Sequence, residues 1–247
     1  MKKLVLLATC LVVLAAGAAS ISYLERRYTY RMPGFPDAPS PSIRLELAQH
    51  FGWAQFHSQL GQDKWIIGVV FPGVKNGYFV DVGSADGILN SNSKALEDLG
   101  WTGVAIDPFP TSWSTRTCLL FKEVVSSRKG DTVEFRASGE VGGIEATLGL
   151  HRGTTMQDRT VRLITTTIAD VLERARAPKF IHYVSIDVEG AEYDVLQAFP
   201  FSTHEVGAFT IEHNQEEPKR SRIRALLESH GYRFVRQQLA DDWYVGR

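Results

Sequence analysis

Acids stand at the ends of several β-prone apolar runs in this 247-residue chain. The best defined lies in Tyr78-Phe79-Val80-Asp81-Val82-Gly83-Ser84-Ala85-Asp86-Gly87. It reads as a strand, a tight turn and the approach to a helix. Glycine in such a turn lets the backbone come close to a ligand, and free helical N–H groups can hydrogen-bond it. The spacing is Asp-x-Gly-x-x-x-Gly, not the Gly-x-Gly-x-x-Gly that cradles a pyrophosphate. A carboxylate at the strand end suits a ligand with cationic or hydroxyl groups.

A second acid-tipped strand follows in Thr102-Gly103-Val104-Ala105-Ile106-Asp107, with Asp107 20 residues past Gly87. That interval fits one crossover helix and puts Asp107 beside Asp81, where a ribose diol would sit. S-adenosylmethionine carries an ammonium, a sulfonium and a ribose, so it fits both acids. A plain turn for the first motif and a capping role for Asp107 are the competing structural readings.

Two further strand tips carry Asp187 with Glu189 after Tyr183-Val184-Ser185-Ile186, and Glu212 with His213 after Phe209-Thr210-Ile211. Carboxylates or an imidazole there can take a hydroxyl proton during methyl transfer. Asp187, Glu189 and His213 are the expected catalytic residues. Asp187, Glu212 and His213 could instead hold a hard divalent ion that orients a diol, although no metal is expected. Capping is the third reading.

These tips need elements to position them. Helices are expected at residues 43–56, 94–99, 110–121, 168–176, 191–199 and 219–230. A further helix opens at Gln62 and Asp63, with Trp65, Ile66, Val69 and Val70 against the sheet. For the polar cluster before it, capping of this helix and closure over the pocket are the two readings. Strands are expected at 123–126, 132–136, 161–166, 180–187, 207–211, 232–238 and 242–245, the last two joined by a turn at Ala240-Asp241. Residues 138–158 read as a long loop, either a lid or plain surface. Alternating strands and helices predict a parallel sheet covered on both faces. The last strand pair lacks a crossover helix, so it must be antiparallel. The expected fold is α/β: a Rossmann-like doubly wound sheet of the class I methyltransferase type, mostly parallel with an antiparallel closing strand.

The formal net charge of −1 gives no global footprint for nucleic acid. The two cysteines, Cys10 and Cys118, support neither an internal disulfide framework nor a cysteine zinc site. Residues 1–24 combine Lys2 and Lys3 with an apolar run about 20 residues long, roughly a bilayer span. They read as a membrane anchor, or as a signal peptide cleaved near Gly17-Ala18-Ala19. Residues 25–42 form a linker rich in proline. The globular domain is expected over 43–247. Flanking basic residues tilt the domain toward the cytoplasm, with the secretory lumen as the alternative.

The chain resembles the FkbM family of S-adenosylmethionine-dependent methyltransferases over roughly residues 58–244. The resemblance rests on the Ser58-Gln59-Leu60-Gly61-Gln62-Asp63 opening, the glycine turn, Ser91-Asn92-Ser93, Gly100-Trp101-Thr102-Gly103 and Ile106-Asp107-Pro108. It rests most on Ser185-Ile186-Asp187-Val188-Glu189-Gly190-Ala191-Glu192-Tyr193, on Ile211-Glu212-His213-Asn214, and on Asp241-Asp242-Trp243-Tyr244. It implies a cofactor turn of Asp81, Gly83 and Gly87, with Ser84 and Asp86 as contacts inside it, and Asp107 on the ribose. The family more often has glutamate at the position of Asp107. The implied activity is O-methylation of a hydroxyl on a glycan, lipid or small metabolite, with the membrane reached through the N-terminal segment and no nucleic-acid partner. The alternative is a non-catalytic, membrane-anchored accessory or trafficking protein that keeps the fold. A nicotinamide-dependent oxidoreductase fits poorly, because its glycine fingerprint is absent.

Overall fold

The computed structural model describes residues 56–246. The expected N-terminal membrane segment, the proline-rich linker and the helix expected from Ile43 lie outside them. Among the described residues, no helix is long and apolar enough to cross a membrane.

The first helix among the described residues is α1 (Gln62–Trp65), which continues as a wider turn over Ile66–Val70. Then come β1 (Tyr78–Val82), α2 (Lys94–Asp98), β2 (Thr102–Ile106) and β3 (Leu119–Phe121). Short strands β4 (Val124–Val125), β5 (Thr132–Arg136) and β6 (Gly143–Ile144) precede β7 (Thr160–Thr166) and α3 (Ile168–Arg174). The second half is β8 (Phe180–Ile186), α4 (Glu192–Gln197), β9 (Glu205–Glu212), α5 (Lys219–Ser229), β10 (Arg233–Gln238) and β11 (Asp241–Val245).

Seven strands form the main sheet in the order β10-β11-β9-β8-β1-β2-β3. Pairings from β3 through β9 are parallel, and β11 runs antiparallel to both β9 and β10. The expected antiparallel closing pair is therefore present. Central strands of a covered parallel sheet lose both faces to the core, so they read as continuous apolar runs. Val80, Val82, Val104, Ile106, Val184, Ile186, Phe209 and Ile211 are all buried in one cluster. Helix α3 starts as expected, with the Thr167 side chain accepting from the Asp170 amide.

Four differences from expectation have local causes. Residues 110–118 do not form a helix. Thr111 bridges to the glycine turn instead, its N–H donating to Ala85 O at 3.0 Å while its carbonyl accepts from Gly87 N at 3.0 Å. Proline, threonine and serine dominate this stretch, and they favour turns over helix interiors. Val69, expected against the sheet, is 45% exposed, whereas Ile67 is buried, because the wider turn after Trp65 rotates the following side chains. A second sheet, β4-β7-β5-β6, gathers strands that sequence pattern alone leaves unassigned to one another. Finally, the closing turn lies at Leu239 and Ala240, since Asp241 already pairs with Gln238.

Candidate active site

The site forms at the carboxyl ends of β1, β2, β8 and β9. Gly83 fixes this rim. Its φ is +84°, and a Cβ there would lie 1.6 Å from the carbonyl oxygen of Asp187. The Gly83 amide donates to Ile106 O and the Asp187 amide to Val82 O, each at 2.9 Å. Three strand ends are thus stitched together at a point no other residue type can occupy without displacing backbone.

A cleft of about 320 Å³ opens here. A narrower hollow of about 40 Å³ adjoins it, and the two share Gly83, Ala85, Glu140 and Asp187. Ile106, Pro108, Val124, Phe135 and Ile144 give the hollow apolar walls, with Asp107 among them. The cleft is lined by six acids, Asp81, Glu140, Asp187, Glu189, Glu212 and Asp241; among the described residues no lysine or arginine lines it.

Asp81 is buried and accepts a hydrogen bond from the Ser93 hydroxyl. Burial raises its pKa, opposed by that bond and by the Arg116 guanidinium. Arg116 is itself buried, donating to Gly87 O at 2.8 Å, to Ser93 Oγ at 2.9 Å and to Glu97 Oε2 at 2.8 Å. It holds the turn from behind. Ser84 Oγ and Asn92 Oδ1 are buried with no hydrogen-bond partner among the described residues, and both residues line the cleft.

Two members of the expected cofactor set serve the turn itself. Asp86 Oδ1 accepts the amides of Ile88 and Leu89 at 2.9 and 2.8 Å, and Oδ2 accepts the Thr111 hydroxyl at 3.0 Å. Partial burial works against ionisation, but these bonds and one from Ser112 bring its carboxyl down to about 2. Gly87 packs under Trp113, whose ring would lie 2.6 Å from a Cβ there. Neither residue lines the cleft or the hollow. Asp107 faces the hollow, yet its oxygens accept the amides of Ala85 at 2.9 Å and Phe109 at 2.7 Å. Burial raises its pKa against those two bonds.

Asp187, Glu189 and Glu212 converge, with one carboxylate oxygen from each within 4.8 Å of the others. Like charges this close cannot all ionise. Burial, then Asp241 and Glu189, push Asp187 well above the usual carboxylate range. Burial and Glu192 lift Glu189 to about 7, and burial with Asp187 pushes Glu212 up to about 12. Asp187 and Glu212 are hydrogen-bonded to one another, and their crowding favours a proton held on the pair. Asn214 Nδ2 donates to Glu212 Oε2 at 2.9 Å and Glu189 Oε2 at 3.2 Å.

His213 is a correction. It stands next to Glu212 but is buried on the other side of the strand, with Nδ1 accepting from the Gln215 amide at 2.8 Å and Nε2 3.3 Å from Asp242 Oδ1. Alternation along an extended strand end sends neighbouring side chains to opposite faces. The third acid of the cluster is Glu189 in its place, so the metal set expected from the sequence, Asp187, Glu212 and His213, does not assemble.

Sequence reasoning missed Glu140 and His151, which reach the cleft from the long loop, with His151 Nε2 3.6 Å from Glu189 Oε2. It also missed Asp241, whose Oδ2 accepts from Gln62 Nε2 at 2.8 Å. The opening motif therefore divides its work. Gln62 faces the cleft, while Asp63 ties down the amides of His57 and Ser58 at 2.7 and 3.1 Å.

A family model described as the methyltransferase FkbM domain matches residues 81–234, from the acid of the glycine turn to the start of β10. The chain belongs to the FkbM methyltransferase family. No curated protein matches it. Membership supports methyltransferase activity, and the matched span contains the whole acid rim except Asp241.

Proposed function

We propose that this FkbM domain is an S-adenosylmethionine-dependent O-methyltransferase of the class I, Rossmann-like kind, acting on a hydroxyl of a glycan, lipid or small metabolite. The carrying observation is the pair of joined cavities at the Gly83 rim: one narrow, with apolar walls on one side and Asp107 beside them, one wide and acidic around Asp81 and Asp187.

The residues present fit the cofactor. Ser84 Oγ and Asn92 Oδ1 are polar atoms still lacking partners, which a polar ligand can supply. The acid lining favours a ligand with two cationic groups. Gly83, Ser84 and Asp81 would hold the amino-acid part and Asp107 the ribose. When bound, S-adenosylmethionine supplies an electrophilic methyl on a sulfonium. The chain's own task is to position an acceptor hydroxyl and receive its proton. Positioning supplies most of the gain in such a displacement. Glu189, poised at about 7, is the acceptor of that proton, and the Asp187–Glu212 pair orients the hydroxyl. Asp86 and Gly87 act by shaping the turn.

The apolar run in residues 1–24 supports tethering of this domain to a membrane, and the basic residues flanking that run tilt the domain toward the cytoplasmic side, with the secretory lumen as the alternative. Transfer of a labelled methyl group to extracted glycans and lipids tests the activity. Binding of S-adenosylmethionine without any transfer would favour the accessory-protein alternative.

A further inference from the structure

The cleft changes character from floor to lip. Its floor is acidic, around Asp81, Asp187, Glu189 and Glu212. Its lip carries the polar Gln59, Asn90 and Glu140, and also two leucines with little cover, Leu89 at 65% and Leu239 at 66% exposure. Both are held there by the backbone. Asp86 fixes the Leu89 amide at 2.8 Å. Leu239 sits in the two-residue turn between β10 and β11 with φ +52°. That left-handed conformation is unfavourable for leucine, and glycine or asparagine is the usual occupant of such a turn. An apolar side chain kept exposed, in a conformation it disfavours, at the mouth of a site needs something to cover.

We propose that the methyl acceptor is an uncharged amphiphile. Its hydroxylated head would rest on the acid floor, and its apolar chain would pass out against Leu89 and Leu239. This rests on reading the cleft as the acceptor site of methyl transfer. Hydroxyls can donate to the carboxylates of the floor. A phosphate or carboxylate head would meet a lining of acids with no lysine or arginine to offset those that ionise. A free sugar would leave the lip exposed, whereas an alkyl tail removes its apolar surface from water.

The test uses two photoreactive probes on the full-length chain, a hexyl glucoside and a hexyl phosphate, each with a diazirine in the alkyl chain. Peptides containing Leu89 and Leu239 should be labelled by the glucoside and spared by the phosphate. Leu89→Ser and Leu239→Asn should each reduce that labelling roughly fivefold. Asparagine tolerates the left-handed turn, so Leu239→Asn should keep or raise the melting temperature, which separates lost contact from lost fold. Equal labelling by the phosphate, no labelling of these peptides, or unchanged labelling in both variants would overturn the proposal. Binding of S-adenosylmethionine to the same samples is measured separately. Its absence would defeat the methyltransferase reading even if the amphiphile labels the lip, and its presence would not rescue an unlabelled lip.

Discussion

The carbonyl oxygen of Asp187 occupies the space that a side chain on Gly83 would need, 1.6 Å from an ideal Cβ. The turn after β1 and the tip of β8 are therefore one unit, and the glycine turn is coupled to the acid cluster.

Gly83→Ala should disrupt both. Alanine at φ +84° is strained, and its methyl must displace backbone. The expected loss is about 3 kcal/mol or more of stability. Chemical denaturation should show it, together with loss of S-adenosylmethionine binding.

Arg116→Met removes the buried cation behind the turn. Glu97 and the Gly87 carbonyl would lose charged donors, and Asp81 a nearby positive charge. Breaking such a buried pair typically costs on the order of 3–5 kcal/mol. The urea midpoint should fall accordingly.

The acid cluster sets a pH dependence. Asp187, Glu189 and Glu212 all have folded-state pKa values raised above their unfolded ones. The native state then holds more protons than the unfolded state, so stability falls as pH rises from the ordinary carboxylate range through about 7, where Glu189 titrates. Glu212→Gln mimics the protonated side chain, and should raise the denaturation midpoint at pH 8 more than at pH 5. A larger gain at pH 5 would contradict the crowding of these carboxylates.

His213→Gln separates scaffold from site. Its ring contacts Asp242 and the Gln215 amide, and it does not line the cleft. Removing these buried contacts should lower stability by about 1–3 kcal/mol. The affinity for S-adenosylmethionine should be unchanged within twofold, by the same titration used for the wild type.

Much of the frame was legible because its signals are local. Apolar runs ending in Asp81, Asp107, Asp187 and Glu212 mark strand tips, and the missing crossover before β11 marks its direction. Residues 110–118 misled because Trp113, Cys118 and Leu119 fall at helical spacing, while tertiary bonds to Ala85 and Gly87 decide the backbone. The difference between Glu212 and His213 depends on which face of a strand end looks into the cleft, a one-residue matter that composition does not encode. Glu140, His151 and Leu239 reach the site from loops, whose placement follows from packing and not from periodicity. Asp86 looked like a ligand contact because turn-holding acids and ligand-holding acids share one motif.

The most direct test is calorimetric titration of S-adenosylmethionine into the full-length protein and into Asp81→Asn, with melting temperatures measured alongside. The account predicts one site in the wild type and an affinity weaker by roughly tenfold, about 1.4 kcal/mol, in the variant at similar thermal stability. No binding by the wild type, or equal binding by both, would contradict it.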